Sequence, residues 1–521
     1  MDGSRVSHKS RFLRYRDDTV ILKARRYAHW TLPQLMADLS IQVNGQGLIL
    51  ERDYQEIGAL LVNNLAPKLA GMLFPASRPF FKADPSDDLK AKAQKAGFTL
   101  TELNAKFAKL EQEACARVFL NAGYAQLIQA LRHLIVTGNV MTYRESKAAK
   151  YCAYGLESFS QKRDGQGNML DAVLREYTHI ESLPPLVQQS LRMGNPGRYR
   201  SVDQCPPVEL YTRIHRQQGN TGKFYYVVSQ EADEIPVGTT GNYPEHLCPW
   251  QVNTWSLING ENYGRGLVED FAGGFAKLSD MSHAATLYGI EMMRVINLVQ
   301  PGLGADVDEL AEAETGEYVQ GANGAVVAYE SGDAAKLQVL RAEITEVFQN
   351  LARAFMYKGN TRDAERVTAF EIKQDALEAD NTLGGAYSSL AASMQIPAAH
   401  ILITEVDSSL LEGLVTSTVE LGIIAGIPAL GRASDVQNLI LAAQDALAII
   451  PGLVELDNRI DGQKVLDMIM AGNSVDTSLL YKSTDQLRAE AEADAQAAAG
   501  QQQMVNAASA AEYTDTLQSI Q

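Results

Sequence analysis

The chain is short of the residues that many functions need. Its 521 residues include four cysteines, Cys115, Cys152, Cys205 and Cys248, and no two stand at metal-ligand spacing. That excludes a zinc module and a disulfide framework, and it fits free thiols in a reducing compartment. The eight histidines are scattered, none three or four residues from another. No P-loop occurs: Gly222-Lys223 is followed by Phe224 rather than Ser or Thr. There is no HExxH and no G-x-S-x-G. No catalytic residue, metal ligand or cofactor is therefore assigned, and no enzyme activity is expected. Long apolar runs are also missing. The most apolar region, 421–456, is cut by Arg432, Asp435, Asp445 and Glu455 and by Pro428 and Pro451, so no membrane-spanning helix is expected. The N-terminus is charged and lacks the apolar core of a secretory signal. The expectation is a soluble protein, intracellular or assembled inside a cell.

Hydrophobic residues make up 46% of the chain, enough for two to four domains' worth of core. The net charge of -17 argues against a surface that grips DNA throughout, although like charge lets DNA pass without sticking. Residues 1–30 depart from this balance, with eight Lys and Arg against three acids. They read as a solvated charged helix or as a contact with DNA or a partner.

Residues 1–160 read mainly as helix. In 54–75 the positions Ile57, Leu60, Leu61, Leu65, Leu69 and Leu73 share one face. Helical periodicity also runs through 101–138, with a division at Gly123. Residues 170–257 change character. "AVLREYTHI", "PVELYTRIHRQ", "KFYYVVSQEA" and "CPWQVNTWSL" are β-branched or aromatic and partly alternating, and "QQGNTGK" joins two of them. An antiparallel sheet flanked by helices is expected.

"NGENYGRGLVEDFAGGF" (259–275) places Gly264 and Gly266 around Arg265, just before an apolar-periodic run. A phosphate cradle would need a buried parallel strand before it and Lys-Ser/Thr after it, and neither is present. The stretch reads instead as a tight turn that launches a helix, with Glu269-Asp270 at its favoured N-terminal end. From Leu267 to Val299 the apolar residues, Phe275, Leu278 and Met292 among them, recur at a mean of about 3.6, which predicts a helix roughly 48 Å long. A second helix is expected over 334–358. Between them Asn323-Gly324, in "EYVQGANGAVVAYES", signals a β-hairpin, because a type I′ turn needs positive φ at both central residues. An antiparallel helix pair would carry this hairpin at its far tip. The acidic, Ala- and Gln-rich end, 488–521, reads as a helix stable only when packed against copies of itself.

"NLAPKLAGMLFP" (64–75), "YPEHLCPW" (243–250), "NGENYGRG" (259–266), "ERVTAFEI" (365–372) and "TLGGAYSSL" (382–390) follow one another in an order and spacing that resemble the viral portal proteins. These are the head-to-tail connectors of short-tailed, podovirus-type bacteriophages. The resemblance implies a mainly α fold with an α+β wing. Residues 1–266 would be the wing, 267–298 the first stem helix, 299–333 the clip with its hairpin and 334–358 the second stem helix. Residues 359–400 would supply a tunnel loop and wing helices, and 401–521 a wing return and helical crown. It implies a ring, usually a dodecamer, at one capsid vertex of the virion, assembled in the host cytoplasm. Such rings nucleate head assembly with scaffold and major capsid protein, dock terminase, conduct double-stranded DNA in and out, and receive a tail adaptor. In that frame Asn323 and Gly324 would form the docking tip. Phe275, Leu278 and Met292 would pack between stem helices of the same or adjacent subunits. Lys358, Arg362 and Arg366, offset by Asp363 and Glu365, would face the DNA channel. Two other readings stay open on the residues alone: a non-viral helical scaffold or adaptor, and an enzyme of DNA processing. The missing P-loop counts against a nucleotide-driven motor.

Overall fold

The computed structural model of the chain describes residues 6–37, 50–76, 79–95, 100–146, 148–199, 206–219, 222–300, 302–314, 318–330, 334–357, 385–407 and 419–423. The chain divides into two units, 1–86 with 110–430, and 87–109 with 431–521. The fold mixes helix and sheet.

Two capped helices come first. In α1 (His8–Tyr15) the Ser7 hydroxyl accepts the Ser10 N–H; in α2 (Asp18–Trp30) the Asp17 carboxylate accepts those of Thr19 and Val20. Helix α3 (Ile57–Leu73) continues through Pro67 and buries Leu61, Leu65, Leu69 and Leu73. Leu60, expected on the same face, is exposed, because the buried stripe is filled by Val62 and Ala66 instead. Strand β1 (Phe81–Pro85) and helices α4 (Asp87–Lys95) and α5 (Leu100–Ala116) follow. The chain breaks at Asn121 and Ala122, both with positive φ, and restarts as α6 (Gly123–Thr137).

The stretch expected to be helix up to residue 160 ends there. Next come strands β2 (Asn139–Glu145), β3 (Lys150–Tyr154), β4 (Phe159–Arg163) and β5 (Met169–Thr178). Their alternation was masked by neighbouring helical periodicity. After helix α7 (Pro185–Gly194) run β6 (Val208–Gln218), β7 (Phe224–Ala232), β8 (Ile235–Pro244) and β9 (Trp250–Thr254). Strands β4 to β8 form an antiparallel meander in chain order, and β3-β2-β9 a second sheet. Val208 and Tyr211 stand three apart on β6 and so face opposite ways. Tyr211 meets Phe12 of α1 (5.8 Å, edge-on) and Val173; Val208 joins Val187 and Leu191 of α7. One face of the meander thus carries α1 and the other α7.

Most of the described cations of the basic N-terminal segment are paired with acids from elsewhere in the chain. Asp171, from β5, takes Arg213 at 2.7 Å, Arg11 at 4.0 Å and the Tyr15 hydroxyl at 3.2 Å. Glu157 takes Arg16 at 2.8 Å and Arg25 at 2.7 Å. Lys9 meets Glu209 (2.9 Å), Lys23 meets Glu269 (3.8 Å), and Arg26 lies over the Trp30 ring. Acids brought from distant parts of the chain use these cations to fasten α1 and α2 to the sheet. Arg14 is exposed.

The "YPEHLCPW" motif closes β8 and opens β9. The Pro249 carbonyl accepts the Arg144 N–H (3.1 Å), Trp250 stacks on Tyr143 (4.5 Å), and Glu245 holds Arg216 (2.7 Å). The Arg144 side chain turns inward and grips Glu405.

Candidate functional site

Among the described residues, the segment after Gly266 carries a run of poorly covered apolar side chains. A first turn, α8 (Leu267–Asp270), stops at Phe271 (φ -108, ψ 19), and α9 (Ala272–Met292) takes over. At 1.5 Å per residue its 21 residues span about 32 Å, not the expected 48 Å. Met293 ends it, and Val295–Val299 is strand β10. The expected helix over 267–298 is therefore broken near its start and cut short. "VINLV" is β-branched, and an unbroken apolar run matches helical and strand periods alike. A short helix α10 (Val307–Glu312), strand β11 (Val326–Glu330) and helix α11 (Ala334–Ala354) follow.

Helices α9 and α11 run antiparallel. Phe275 meets Phe355 edge-on at 5.6 Å, Leu351 lies against Gly274, and Lys277 pairs with Glu343 at 2.9 Å. Phe275 and Leu278 are fully buried, together with Leu351 and Phe355. Residues 53 and 54 brace the same helix: Ser279 donates to Asp53 (2.7 Å), and Tyr54 stacks on His283 (4.2 Å). Towards the strands the apolar positions lose their cover. Met292 is only partly buried, Leu287 and Val339 are exposed, Ile290 is 63% exposed and Met293 85%.

The hairpin is built differently from its sequence signal. Strand β11 pairs with β10, from Val295↔Glu330 to Val299↔Val326, and not with the run just before Asn323. The ladder extends to Gln300 N–H and the Ala325 carbonyl (2.9 Å). Asn323-Gly324 sits in a turn closed by Ala325 N–H to the Ala322 carbonyl (3.0 Å). Gly324 has φ +82, but Asn323 is not among the residues of positive φ, so the turn is not type I′. The Asn-Gly pair marks a turn inside the 300–325 connection; β10 satisfies the β11 backbone. Side chains on both faces of this two-stranded ribbon are uncovered: Ile296, Leu298, Val326 and Val327. A lone two-stranded ribbon is marginal in water.

The Gly264-Arg265-Gly266 strap lies across the C-terminal end of α6. A Cβ on Gly266 would sit 2.7 Å from the Ile135 carbonyl oxygen and 2.8 Å from the Gly138 nitrogen. The Asn139 amide clasps Gly264 from both sides, accepting from its N–H and donating to its carbonyl, each at 2.8 Å. Asn262 and Tyr263 accept the Arg163 and Gln161 N–H groups of edge strand β4, and the Tyr263 hydroxyl donates to the Tyr15 carbonyl. The carbonyl end of a helix repels anions. The glycines thus serve close backbone packing, and "NGENYGRG" is a joint between α1, the meander, α6 and the root of α9.

Burial is the largest cause of the shift at several titratable groups away from this region. It pushes the Cys115 and Cys248 thiols up to about 12 and pulls the His133 imidazole down to about 4. Burial also raises Glu176, whose carboxylate accepts the Tyr154 hydroxyl at 2.6 Å. Among the described residues no group of three or more His, Cys, Asp or Glu could hold a metal ion, and no helix is long and apolar enough to cross a membrane. Lys358, Arg362 and Arg366 lie outside the described residues, as does nearly all of 401–521 beyond helix 396–406 and strand 419–423. Sequence reasoning missed the uncovered β10 face and the Arg144–Glu405 pair; "VINLV" was a signal for the first, and nothing local pointed to the second.

The chain matches the family model described as bacteriophage head to tail connecting protein over residues 9–480. It is 43% identical to the portal protein of Pseudomonas phage phiKMV, over 95% of this chain and 96% of that one. It is 32% identical to the portal protein of Enterobacteria phage SP6, over 81% and 79%. Among solved structures it is similar to a chain of the virion of a native gene transfer agent particle, at 11% identity and a TM-score of 0.34, over 79% and 89%, a likeness too slight to add to the assignment. A family match over most of the chain, on a fold whose helix pair and strand ribbon leave apolar faces uncovered, places this protein in the bacteriophage head to tail connecting protein family.

Proposed function

We propose that the chain is the subunit of a portal ring at the head–tail junction of a phage virion, a structural part and not an enzyme. The observation that carries the ring is the uncovered apolar surface of β10, β11 and the adjoining ends of α9 and α11. Patches of this kind on a lone chain mark contacts with other chains, and rotational symmetry covers the same patch on every copy. Met292 then becomes buried by the neighbouring subunit, while Phe275 and Leu278 hold the helix pair within one subunit. The purified full-length chain is expected to sediment as a ring of about twelve 56.9 kDa subunits, roughly 700 kDa. Axial views in negative stain read the copy number directly. A monodisperse monomer at working concentrations ends this reading.

In such a ring the helix pair and ribbon act as stem and clip, residues 1–266 as wing and the C-terminal part as crown. The connection holding Asn323 and Gly324 lies at the end that docks terminase during packaging and a tail adaptor afterwards. Capsid and scaffold proteins meet the outer surface during assembly in the host cytoplasm. Lys358, Arg362 and Arg366 touch the phosphates of double-stranded DNA in the channel. Asp363 and Glu365 keep the local charge low, because many phosphate contacts would stall the duplex. Lys358→Ala combined with Arg362→Ala is expected to leave ring assembly intact and to alter the packaged DNA or its retention. Negative stain and a nuclease-protection measurement separate the two effects. Wild-type packaging and retention exclude these residues from the channel, and a failure of assembly alone moves them to a subunit interface.

A further inference from the structure

The sequence holds three Asn-Gly pairs, at residues 44, 259 and 323, and the first lies outside the described residues. The other two sit in turns of the same local build. Each turn has Asn second and Gly third, with Gly260 at φ +92 and Gly324 at φ +82. Each is closed by a hydrogen bond of 3.0 Å, Glu261 N–H to the Ile258 carbonyl and Ala325 N–H to the Ala322 carbonyl. All four Asn and Gly residues are exposed, and nothing lies within 4 Å of a Cβ built on either glycine. Such a pair can react with itself. With no side chain on the glycine, its backbone nitrogen can reach the side-chain carbonyl carbon of the Asn before it. While the closing hydrogen bond holds, the Asn ψ is fixed and the nitrogen does not swing towards that carbon. The rate therefore follows how often the turn opens.

Their surroundings separate the two turns. Around Asn259, Ser256 and Arg265 exchange backbone hydrogen bonds of 2.7 and 3.2 Å, and Arg265 pairs with Glu261 at 2.8 Å. Asn262 and Tyr263 are tied to β4, and Asn139 clasps Gly264. Around Asn323, Ala322 N–H meets the Leu303 carbonyl at 3.0 Å and Gln300 N–H the Ala325 carbonyl at 2.9 Å. This turn leads into the β10–β11 ribbon, whose faces are uncovered and which is marginal in water. It opens with the ribbon alone, whereas the first opens only with the joint that roots α9.

We propose that Asn323 is a site of spontaneous covalent modification, converted to aspartate and iso-aspartate through attack by the Gly324 nitrogen, and that the strap protects the locally similar Asn259. Hydroxide takes the Gly324 amide proton. The nitrogen bonds to Asn323 Cγ, the Cγ–Nδ2 bond breaks, and the departing nitrogen takes a proton from water and leaves as ammonia. Water then opens the five-membered imide. Breaking the new bond to Cγ gives an ordinary aspartate; breaking the bond to the main-chain carbonyl leaves the chain running through Cγ, an iso-aspartate with one extra backbone carbon. Nothing is oxidised or reduced. Either product adds one negative charge per chain, and the second lengthens the turn that precedes β11. The chemistry needs no partner and does not rest on the portal reading.

The test incubates the full-length protein, as purified, at neutral and mildly alkaline pH, with a parallel sample in concentrated urea. Trypsin releases 295–336 as one peptide, because no Lys or Arg lies between Arg294 and Lys336. Mass spectrometry with fragmentation reads conversion at Asn323 and Asn259, and a protein iso-aspartyl methyltransferase labels the iso-aspartate. In urea both turns are gone, and the two pairs are expected to convert alike. In the native protein Asn323 is expected to stay within about threefold of its urea rate, and Asn259 to fall at least about tenfold below its own. Conversion of Asn323 is expected to quicken as pH rises, since the nitrogen attacks after losing its proton. Asn323→Gln, which could close only a six-membered ring, is expected to remove the label from 295–336. A label that persists in this variant overturns the assignment. Slowing of native Asn323 to the level of Asn259, whether by a stiffer ribbon or by a neighbouring copy sealing the turn, overturns the proposal and leaves the portal reading untouched.

Discussion

Arg144→Met is expected to destabilise the fold by about 3 kcal/mol, because it leaves the buried Glu405 carboxylate with only the part-exposed Arg117 guanidinium at 3.9 Å. The two side chains are 5% and 1% exposed. They meet bidentately, Nε to Oε1 and Nη2 to Oε2, both at 2.9 Å, and the Arg144 Nη2 also donates to the Arg117 carbonyl at 3.3 Å. The pair joins β2 to the helix Ile396–Val406, whose start is fixed by Gln395 donating to the Leu73 carbonyl. That helix follows 358–384 in the chain, so its anchor sets one end of the segment holding Arg362 and Arg366. Combining Arg144→Met with Glu405→Leu removes the poorly paired buried charge and is expected to recover most of the loss. Denaturant unfolding of the single and double variants, with limited proteolysis around residue 407, gives the coupling. A single variant within about 0.5 kcal/mol of wild type would show that the pair does not hold the helix.

Gly266→Val is the second large effect. Its side chain must displace the backbone at the C-terminal end of α6, with the Ile135 oxygen, the Gly138 nitrogen and the Val136 oxygen at 2.7, 2.8 and 3.0 Å from the new Cβ. None of these atoms can swing away as a side-chain tip would. The expected cost is about 3 kcal/mol or more, with the Asn139 clasp opened and the root of α9 shifted. Gly273, inside the same helix, is the control. Nothing lies within 4 Å of a Cβ there, so Gly273→Ala is expected to stabilise by about 0.5–1 kcal/mol. Thermal unfolding of the two variants, beside axial views of the rings they form, distinguishes a packing role from simple helix propensity. Similar stability for Gly266→Ala and Gly273→Ala would remove the strap argument.

Local pattern was enough for several conclusions. Helical periodicity located α9 and α11, since burying one stripe of a helix needs apolar residues every three to four positions. Alternation located β5, β6, β7 and β9 for the corresponding reason. The order of five short motifs was enough to name the family. The lack of a P-loop and of spaced metal ligands pointed away from catalysis, because such chemistry needs particular residues at short, recognisable spacing.

Other features depended on residues far apart in the chain. Asn323-Gly324 identifies a turn, but which strand pairs with β11 depends on whose backbone groups can be satisfied, and "VINLV" lies upstream of the connection. Gly264 and Gly266 have the same local look in an anion cradle and in a packing strap. The difference is that the carbonyl end of α6 lies against them. The eight cations of residues 1–30 could be counted, but the acids that take five of them, Glu157, Asp171, Glu209 and Glu269, arrive from other elements. Periodicity and turn propensity act over a few residues, so the sequence by itself determined the elements and the family. Strand partners, ion pairs and backbone clasps depend on contacts between distant residues, which only the tertiary structure brings together.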